Sequence, residues 1–580
     1  MSSSTTDPSR ATDRRHDLDA LRASAMILGI FYHGALSLAA GFPWFVQDPS
    51  ANRSMYVFQS WVHGFRMPLF FIISGFFTAM LWKKRGAKAL VGHRFGRILL
   101  PCLLGAVTLV PLCNYAISRA SDQGSQRRLQ AAKAEPSEKS IWAAIRNHRA
   151  DIVQMHLDKG FQWSDLHPEF QTTALSWATI HQDLESVDLL IRQGCDPNIA
   201  NPDGNTPLHA AMFFGHDSIA EFLIDRGANL DKKNLNGETP IQSLRVDANL
   251  VPYIAGLLLV EADLATVKHG RELIESKLKS LHRLDSKSDS NQDTIAESSS
   301  AQSQSKQLQA LGAFLLFYPL FSYLWFLWFL WWYAVCFAIL AWMLGLLRSQ
   351  VGIPDSFWSK LHSPGALLVW MTLTIFPLYR MQALGFLFGP DTSVGLIPAG
   401  HVFLYYAIFF SFGIAYYLSN DTQARLGSHW PWLLPVSILV VFPIALEINL
   451  GFLGLRDLWI PKDSIRTLSV ITQSWFAWWM SLACIGLFRS CLSRQSPSMR
   501  YLSDSSYWLY VAHLPLVVFV QTAIAESSLN GFIKLLIICA VCIGVLLLTY
   551  QFFVRHTWIG RFLNGPQIAR ASRGADESPR

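Results

Sequence analysis

Three residues near the amino terminus are of types that do chemistry together: Asp19, Arg22 and, after ten intervening residues, His33. They fall in residues 18–36, where an apolar run over 23–42 reads as a membrane-spanning helix. At about 100° and about 1.5 Å per residue, the steps from Arg22 to His33 make about three turns, placing both side chains on one face roughly 16 Å apart. One end of that face is a cationic site at the membrane interface, and the other is a titratable group deep in lipid. Ionisable groups exposed to lipid are costly, so they face a bundle interior or a wet cavity. The plainer alternative is that His33 hydrogen-bonds a neighbouring helix while Arg22 snorkels to headgroups.

Other chemically capable residues lie in later apolar runs. One opens His63-Gly-Phe-Arg66-Met-Pro68 and continues to Ser74-Gly75-Phe76. Here Pro68 suits a first helical turn and Ser74-Gly75 a close helix approach. The next opens with Arg94 and Arg97, whose i, i+3 spacing shares a helix face and suits a phosphate clamp; the alternative is topological anchoring. His513 lies midway through a late span, in Tyr507-Trp-Leu-Tyr510-Val-Ala-His513, and is a second candidate for a cavity.

The elements that must position these groups are membrane helices. Over 580 residues the chain is 51% hydrophobic and 13% aromatic, with 21 Trp and a positive mean hydropathy, as in polytopic membrane proteins. A net charge of +7 is spread over short loops rather than one patch, which argues against nucleic acid as a partner. Of the eight cysteines only Cys195 falls outside the apolar regions, and neither a disulfide framework nor a zinc spacing emerges, so no metal is expected.

Ten spans are expected, at about 23–42, 61–82, 97–118, 324–347, 364–388, 401–419, 431–453, 470–490, 505–526 and 531–555. Residues 311–322, with Pro319 among them, read as an interfacial lead-in. Met1 to His16 is polar and no cleavage motif follows the first apolar run, so that span is expected to act as its own signal anchor. Basic residues gather in Lys83 to Arg97 and at both chain ends, whereas the opposite loops hold only Arg53, Arg456, Lys462 and Arg466. The positive-inside rule then puts both termini in the cytoplasm of a cell membrane, a bacterial inner membrane in this reading.

Between the third and fourth spans the composition changes. Thr206-Pro-Leu-His-Ala-Ala recurs thirty-three residues later at Thr239 and is anticipated thirty-three earlier at Thr173, with Gly160, Gly194 and Gly227 at nearly the same period. This resembles ankyrin repeats, in which a TPLH turn starts a helix pair and a glycine ends it. The opening unit near residues 141–160 lacks that turn. His209 is read as the structural histidine of its turn, and the repeats as a surface for a protein partner. Three crossings precede the insertion, which places it outside the cytoplasm.

The expected fold is therefore all-α: a polytopic membrane helical bundle of about ten spans with an inserted ankyrin-repeat α-solenoid. The domain boundaries are 1–118 and 308–556 for the two membrane parts, 137–262 for the repeats, 263–307 for a flexible linker and 557–580 for a cytoplasmic tail.

The runs LDALRASAMILGIFYHG, FRMPLFFIISGFF, HRFGRILLP, FFSFG and YLSDSSYWLYVAHLPLV, taken together, resemble the membrane-bound acyltransferase family 3. They are most similar to its glucan biosynthesis protein C-like branch, over about residues 14–118 and 309–556. The resemblance implies transfer of an acyl group, succinyl or acetyl, from cytoplasmic acyl-CoA to a hydroxyl of an extracytoplasmic glycan. It implies His33 as the catalytic base, and Arg22, Arg94 and Arg97 as holders of the coenzyme A phosphates, with Asp19 orienting Arg22. The substrate-binding set is completed by Arg66, Tyr323, Trp325 and His513. Tyr323-Leu-Trp325 departs from the family pattern, which has histidine where Tyr323 stands; a tyrosine hydroxyl can donate a hydrogen bond but is no base near neutral pH. Two alternatives stay open: a catalytically altered scaffold presenting ankyrin repeats, and an ankyrin-bearing transporter or channel.

Overall fold

The computed structural model describes residues 15–564, apart from 41, 43, 169, 236, 249–250, 281–318, 349–354, 362, 382–387, 452 and 495. The chain divides into two units: Met1–Ala120 with Lys306–Arg580, and Ser121–Ser305. Both are helical, and among the described residues the β pairing consists of two isolated bridges, Ala39 with Asn52 and Leu166 with Thr173.

The chain opens with α1 (His16–Leu36), whose first turn holds Asp17 and Asp19 near the positive end of the helix dipole. The helix stops six residues short of the expected span end at 42, because the chain turns there: Asp48 N–H donates to the Ser37 carbonyl and Asn52 N–H to that of Leu38. Next comes α2 (Arg53–Arg94), capped by the Asn52 side chain on Met55 N–H at 3.1 Å. That cap starts the helix well before Pro68, which lies mid-helix rather than in the first turn, as membrane helices tolerate. Gly86, at φ 78° and ψ 172°, breaks the run and separates the second span from the third. A π turn (Phe95–Leu99) leads into α3 (Leu100–Lys133).

The second unit stacks helix pairs: α4 (Ile141–Arg146) with α5 (Ala150–Asp158), α6 (Ala174–Ile180) with α7 (Leu184–Arg192), α8 (Pro207–Phe214) with α9 (Asp217–Asp225), then α10 (Pro240–Ser243) and α11 (Val251–Leu257). Thr173, Thr206 and Thr239 sit at the helix starts, and Ser140 takes that role in the opening pair, accepting from Ala143 N–H at 3.1 Å. Gly160, Gly194 and Gly227 close the second helices with φ of 94°, 97° and 90°. His209 is a structural residue, as expected: its Nδ1 accepts from Thr206 N–H at 3.1 Å, and its Nε2 bonds the Glu238 carbonyl of the next repeat at 3.1 Å.

One expectation is corrected here. Residues 264–280, assigned to a flexible linker, form α12 (Leu264–Ser280), which packs on the repeats. Arg271 donates to the carbonyls of Phe213, Leu244 and Val246, and Ile274 and Leu278 enter the repeat core. Gly270 lies so close to Gly215 that a Cβ there would meet the Gly215 oxygen. A solenoid end needs a cover for its apolar face, and α12 supplies it. Residues 281–307 of the linker, most of the lead-in at 311–322 and the end of the tail lie outside the described residues.

The membrane unit resumes with α13 (Trp325–Arg348), α14 (Asp355–Lys360), α15 (Pro364–Met381), α16 (Gly400–Leu418), α17 (Trp430–Val436), α18 (Phe442–Leu450), α19 (Arg456–Trp459), α20 (Lys462–Cys491), α21 (Pro497–Ile524), α22 (Gly531–Thr549) and α23 (Trp558–Asn564). Among the described residues, 7 helical runs are long and apolar enough to cross a membrane by length and composition. One of these, Arg53–Lys133, contains the second and third expected spans. Helices α1 and α15 are not among the seven; the charges of Asp17, Asp19 and Arg22 lower the mean hydropathy of α1.

At the centre α2 and α16 cross in close contact. A Cβ on Gly75 would sit 2.0 Å from the Phe410 oxygen, and one on Gly413 would sit 2.0 Å from that of Ile72. Small residues at such a crossing let two backbones meet, the interaction available where lipid removes the hydrophobic drive.

Candidate functional site

Helices α1 and α21 build the site, running parallel side by side. At one end Arg22 Nη2 donates to Ser503 Oγ at 2.8 Å; at the other the His33 and His513 ring centroids are 5.0 Å apart. Ser503, Tyr507, Tyr510 and His513 lie three or four residues apart and share a face of α21, so one helix interface joins the arginine end to the histidine end.

At the histidine end, His513 Nδ1 donates to the Tyr510 carbonyl at 2.6 Å, since a carbonyl oxygen can only accept. Its Nε2 is left buried with no protein partner, and so is Nδ1 of His33. Two adjacent imidazole rings thus each keep a buried nitrogen without a protein partner, which is unusual for buried polar atoms. Gln521 donates to the carbonyls of His33 (2.8 Å) and Gly34 (3.2 Å) and holds the backbone that carries the imidazole.

Arg66 lies against the same stretch of α1. Its Cζ is 5.1 Å from the Tyr32 ring centroid, and a Cβ on Gly29 would fall 1.9 Å from its Nη1. Glycine at 29 therefore makes the seat for this guanidinium, one helical turn before His33. Tyr32 also stacks on His63 at 5.5 Å. Tyr323 adjoins His513 edge-on at 5.9 Å, but its hydroxyl donates to the Val511 carbonyl at 2.8 Å, tying α21 to the start of α13. Trp325 belongs to an aromatic cluster with Phe71, Phe329 and Tyr406 and serves packing there.

At the arginine end, Asp19 Oδ1 lies 3.4 Å from Arg22 Nη2, close enough for the orienting contact that the resemblance implies. Arg94 reaches Thr78 Oγ1 at 2.9 Å, and its electrostatic surroundings include Arg22 and Arg97. Arg97 stands half-buried on the π turn, so the i, i+3 face expected for Arg94 and Arg97 is re-aimed by a wider helical turn. Nε of Arg22, Nε of Arg94 and the Tyr507 hydroxyl are all buried without a protein partner. Cationic donors gathered in this way make a site for an anion.

Sequence reasoning did not name Gly29, Tyr32, Trp44, Thr78, Ser503, Tyr507 or Gln521 as site residues. These are common residue types whose relevance comes from distant neighbours. Among the described residues no group of three His, Cys, Asp or Glu side chains is placed to hold a metal.

Comparison with known sequences gives this geometry a family. The profile of the acyltransferase domain family matches residues 15–125 and 290–553, and that of ankyrin repeats (3 copies) matches 140–234. The chain belongs to this acyltransferase family, with ankyrin repeats inserted. Glucans biosynthesis protein C of Escherichia coli K12 is 34% identical over 99 residues, 17% of this chain and 24% of that protein. A putative palmitoyltransferase, ZDHHC13, of Danio rerio is 40% identical over 100 residues, 17% of this chain and 15% of that protein. A putative ankyrin repeat protein of Rickettsia felis is 41% identical over 96 residues, 14% of this chain and 42% of that protein. The acyltransferase chain thus spans less than half the length of each of these relatives. Both ends of its α1/α21 interface, Arg22 with Ser503 and His33 with His513, fall within the family match.

Proposed function

We propose that the protein is an integral membrane O-acyltransferase that moves an acyl group, succinyl or acetyl, from cytoplasmic acyl-CoA to a hydroxyl of an extracytoplasmic glycan. The observation that carries this reading is the parallel α1/α21 interface, with the buried Nε of Arg22 beside that of Arg94 at one end and two adjacent histidines at the other. The coenzyme A phosphates bind at Arg22, Arg94 and Arg97, and the thioester reaches toward His33. The His33 imidazole takes the proton of the acceptor hydroxyl as its oxygen attacks the thioester carbonyl. The tetrahedral intermediate then expels the coenzyme A thiolate, which receives that proton from the imidazolium. Arg66, seated over Gly29, supplies positive charge near the oxygen that becomes negative in this step.

The alternative of an inactive scaffold drew on Tyr323 alone. With its hydroxyl bonded to the Val511 carbonyl, Tyr323 has a structural occupation, which supports the enzyme reading. The glycan assignment draws on the likeness to glucans biosynthesis protein C of E. coli. The ankyrin repeats lie outside the cytoplasm in this proposal, where they recruit the acceptor or a protein that delivers it. Transfer of label from acyl-CoA to membrane-associated or added glucan, in membranes holding the full-length protein, tests the proposal. Labelled glucan that is lost with His33→Ala is expected; absence of transfer from every acyl-CoA tried would favour the scaffold.

A further inference from the structure

Between α1 and α2 the chain returns through residues 37–52, within which 41 and 43 lie outside the described residues. This return is held firmly. Lys534 Nζ, on α22, lies 2.8 and 2.9 Å from the two Asp48 oxygens and also donates to the Ala525 carbonyl at 3.0 Å. Both side chains are buried, at 1% and 3% exposure. An ion pair taken out of water adds little net stability over an apolar substitute, and its best-attested use is to fix register. Here it fixes the return segment against the start of α22.

What the segment carries is Trp44. Its ring centroid lies 6.2 Å from that of His33, at the end of α1 opposite the arginine cluster. The indole N–H donates to Gln521 Oε1 at 3.0 Å, and the amide nitrogen of Gln521 donates to the His33 and Gly34 carbonyls. One glutamine therefore sets both the backbone at His33 and the tilt of the indole. The ring is half-buried beside Val46, Ala116 and Val518, and the adjoining Phe45 ring, 4.8 Å away, is 43% exposed.

We propose that Trp44 is an acceptor-specificity residue: its indole is the flat apolar surface on which a pyranose ring of the acceptor rests while one ring hydroxyl reaches His33. The proposal rests on His33 being the base of the transfer. A sugar ring has an apolar C–H face and a polar rim. An aromatic side chain covers the face while leaving the rim hydroxyls free for polar partners, the division of labour found in pockets with aromatic walls and few polar groups. Because its N–H is already bonded to Gln521, the indole is held in place before the acceptor arrives, which lowers the ordering cost of binding. Trp44 lies away from the arginine end and meets the acceptor, not the coenzyme A portion of the donor.

The test is equilibrium binding of a glucose oligosaccharide to the full-length protein in detergent with no acyl-CoA present, so that no turnover is involved. Trp44→Met fills the space with a flexible chain and removes the flat face; Trp44→Phe keeps a face. The expected result is at least tenfold weaker binding for the Met variant and no more than threefold for the Phe variant, with acyl-CoA binding unchanged in both. Equal binding by wild type and the Met variant, equal losses in the two variants, or no oligosaccharide binding by wild type would each overturn the proposal. Should the Met variant fail to accumulate, Trp44→Leu takes its place with the same expectation. Transfer by His33→Ala at the wild-type rate would instead remove the reading of His33, and the binding result would stand apart from it.

Discussion

The imidazoles of His33 and His513 lie side by side with ring centroids 5.0 Å apart and planes tilted by 48°, although 479 residues separate them in sequence. Each has one buried nitrogen without a protein partner, and His513 has its other nitrogen committed to the Tyr510 carbonyl. In the proposed reaction, His33 is the acceptor of the hydroxyl proton, with the His513 ring beside it.

His33→Ala is expected to reduce acyl transfer by about 10²- to 10⁴-fold, the usual cost of losing a general base, while abundance in the membrane stays at the wild-type level. His513→Gln is expected to cost less and to shift the pH profile of the rate. Turnover by His33→Ala at the wild-type rate in a labelled-donor assay would sink the assignment.

Arg94 and Arg97 are expected to differ. Arg94 has a buried Nε and a bond to Thr78, whereas Arg97 is half-buried on the π turn. Arg94→Gln should raise the KM for acyl-CoA by an amount corresponding to about 1.5 to 3 kcal/mol, the value of a charge-assisted contact, and Arg97→Gln by less. The acceptor KM should not move. Unchanged donor affinity in both variants would reduce them to topological anchors.

Two glycines should fail in different ways. A Cβ at Gly75 meets the backbone oxygen of Phe410, so Gly75→Ala must push α2 and α16 apart and is expected to lower the melting temperature, with a cost of about 1 to 3 kcal/mol. A Cβ at Gly29 meets only the tip of Arg66, which can swing away, so Gly29→Ala should keep the fold and lose activity. Melting curves and transfer rates measured on both variants separate the outcomes.

The repeat unit should lose stability in mild acid. Burial, with the nearby Arg146 charge, holds His167 down to about 4 and His181 to about 3, and burial also lowers His209 and His216. A histidine whose folded-state pKa is depressed stabilises fully above its unfolded value of about 6.5, and that stability fades as pH falls through the folded-state value. Hydrogen exchange in residues 141–278, corrected for the intrinsic pH dependence, should show protection falling between pH 6.5 and 4. Constant protection across that interval would contradict the expected linkage.

Orientation is checked by labelling Lys233→Cys, an exposed position in the repeats, with a membrane-impermeant thiol reagent. Modification in intact cells is expected. Modification only after the membrane is opened would place the repeats in the cytoplasm and end the acceptor-recruitment proposal.

Much of this protein was legible in the sequence because the relevant physics is local. The spacing of Arg22 and His33 on one helix face follows from helix geometry, the apolar runs from the thickness of a bilayer, and the repeats from a thirty-three-residue recurrence whose Thr caps act within four residues. What the tertiary structure alone decided depends on partners far away along the chain. Helix α12 lies in a polar stretch and is held by Arg271 on carbonyls of earlier repeats, which hydropathy cannot register. The π turn at Phe95–Leu99 re-aims Arg97 through a hydrogen-bond pattern that residue type does not announce. Ser503 against Arg22, and Gln521 against Trp44 and the His33 carbonyl, come together because α21 packs along α1. Periodicity says that a helix has a buried face, but the choice of neighbour is made by the packing of the whole bundle.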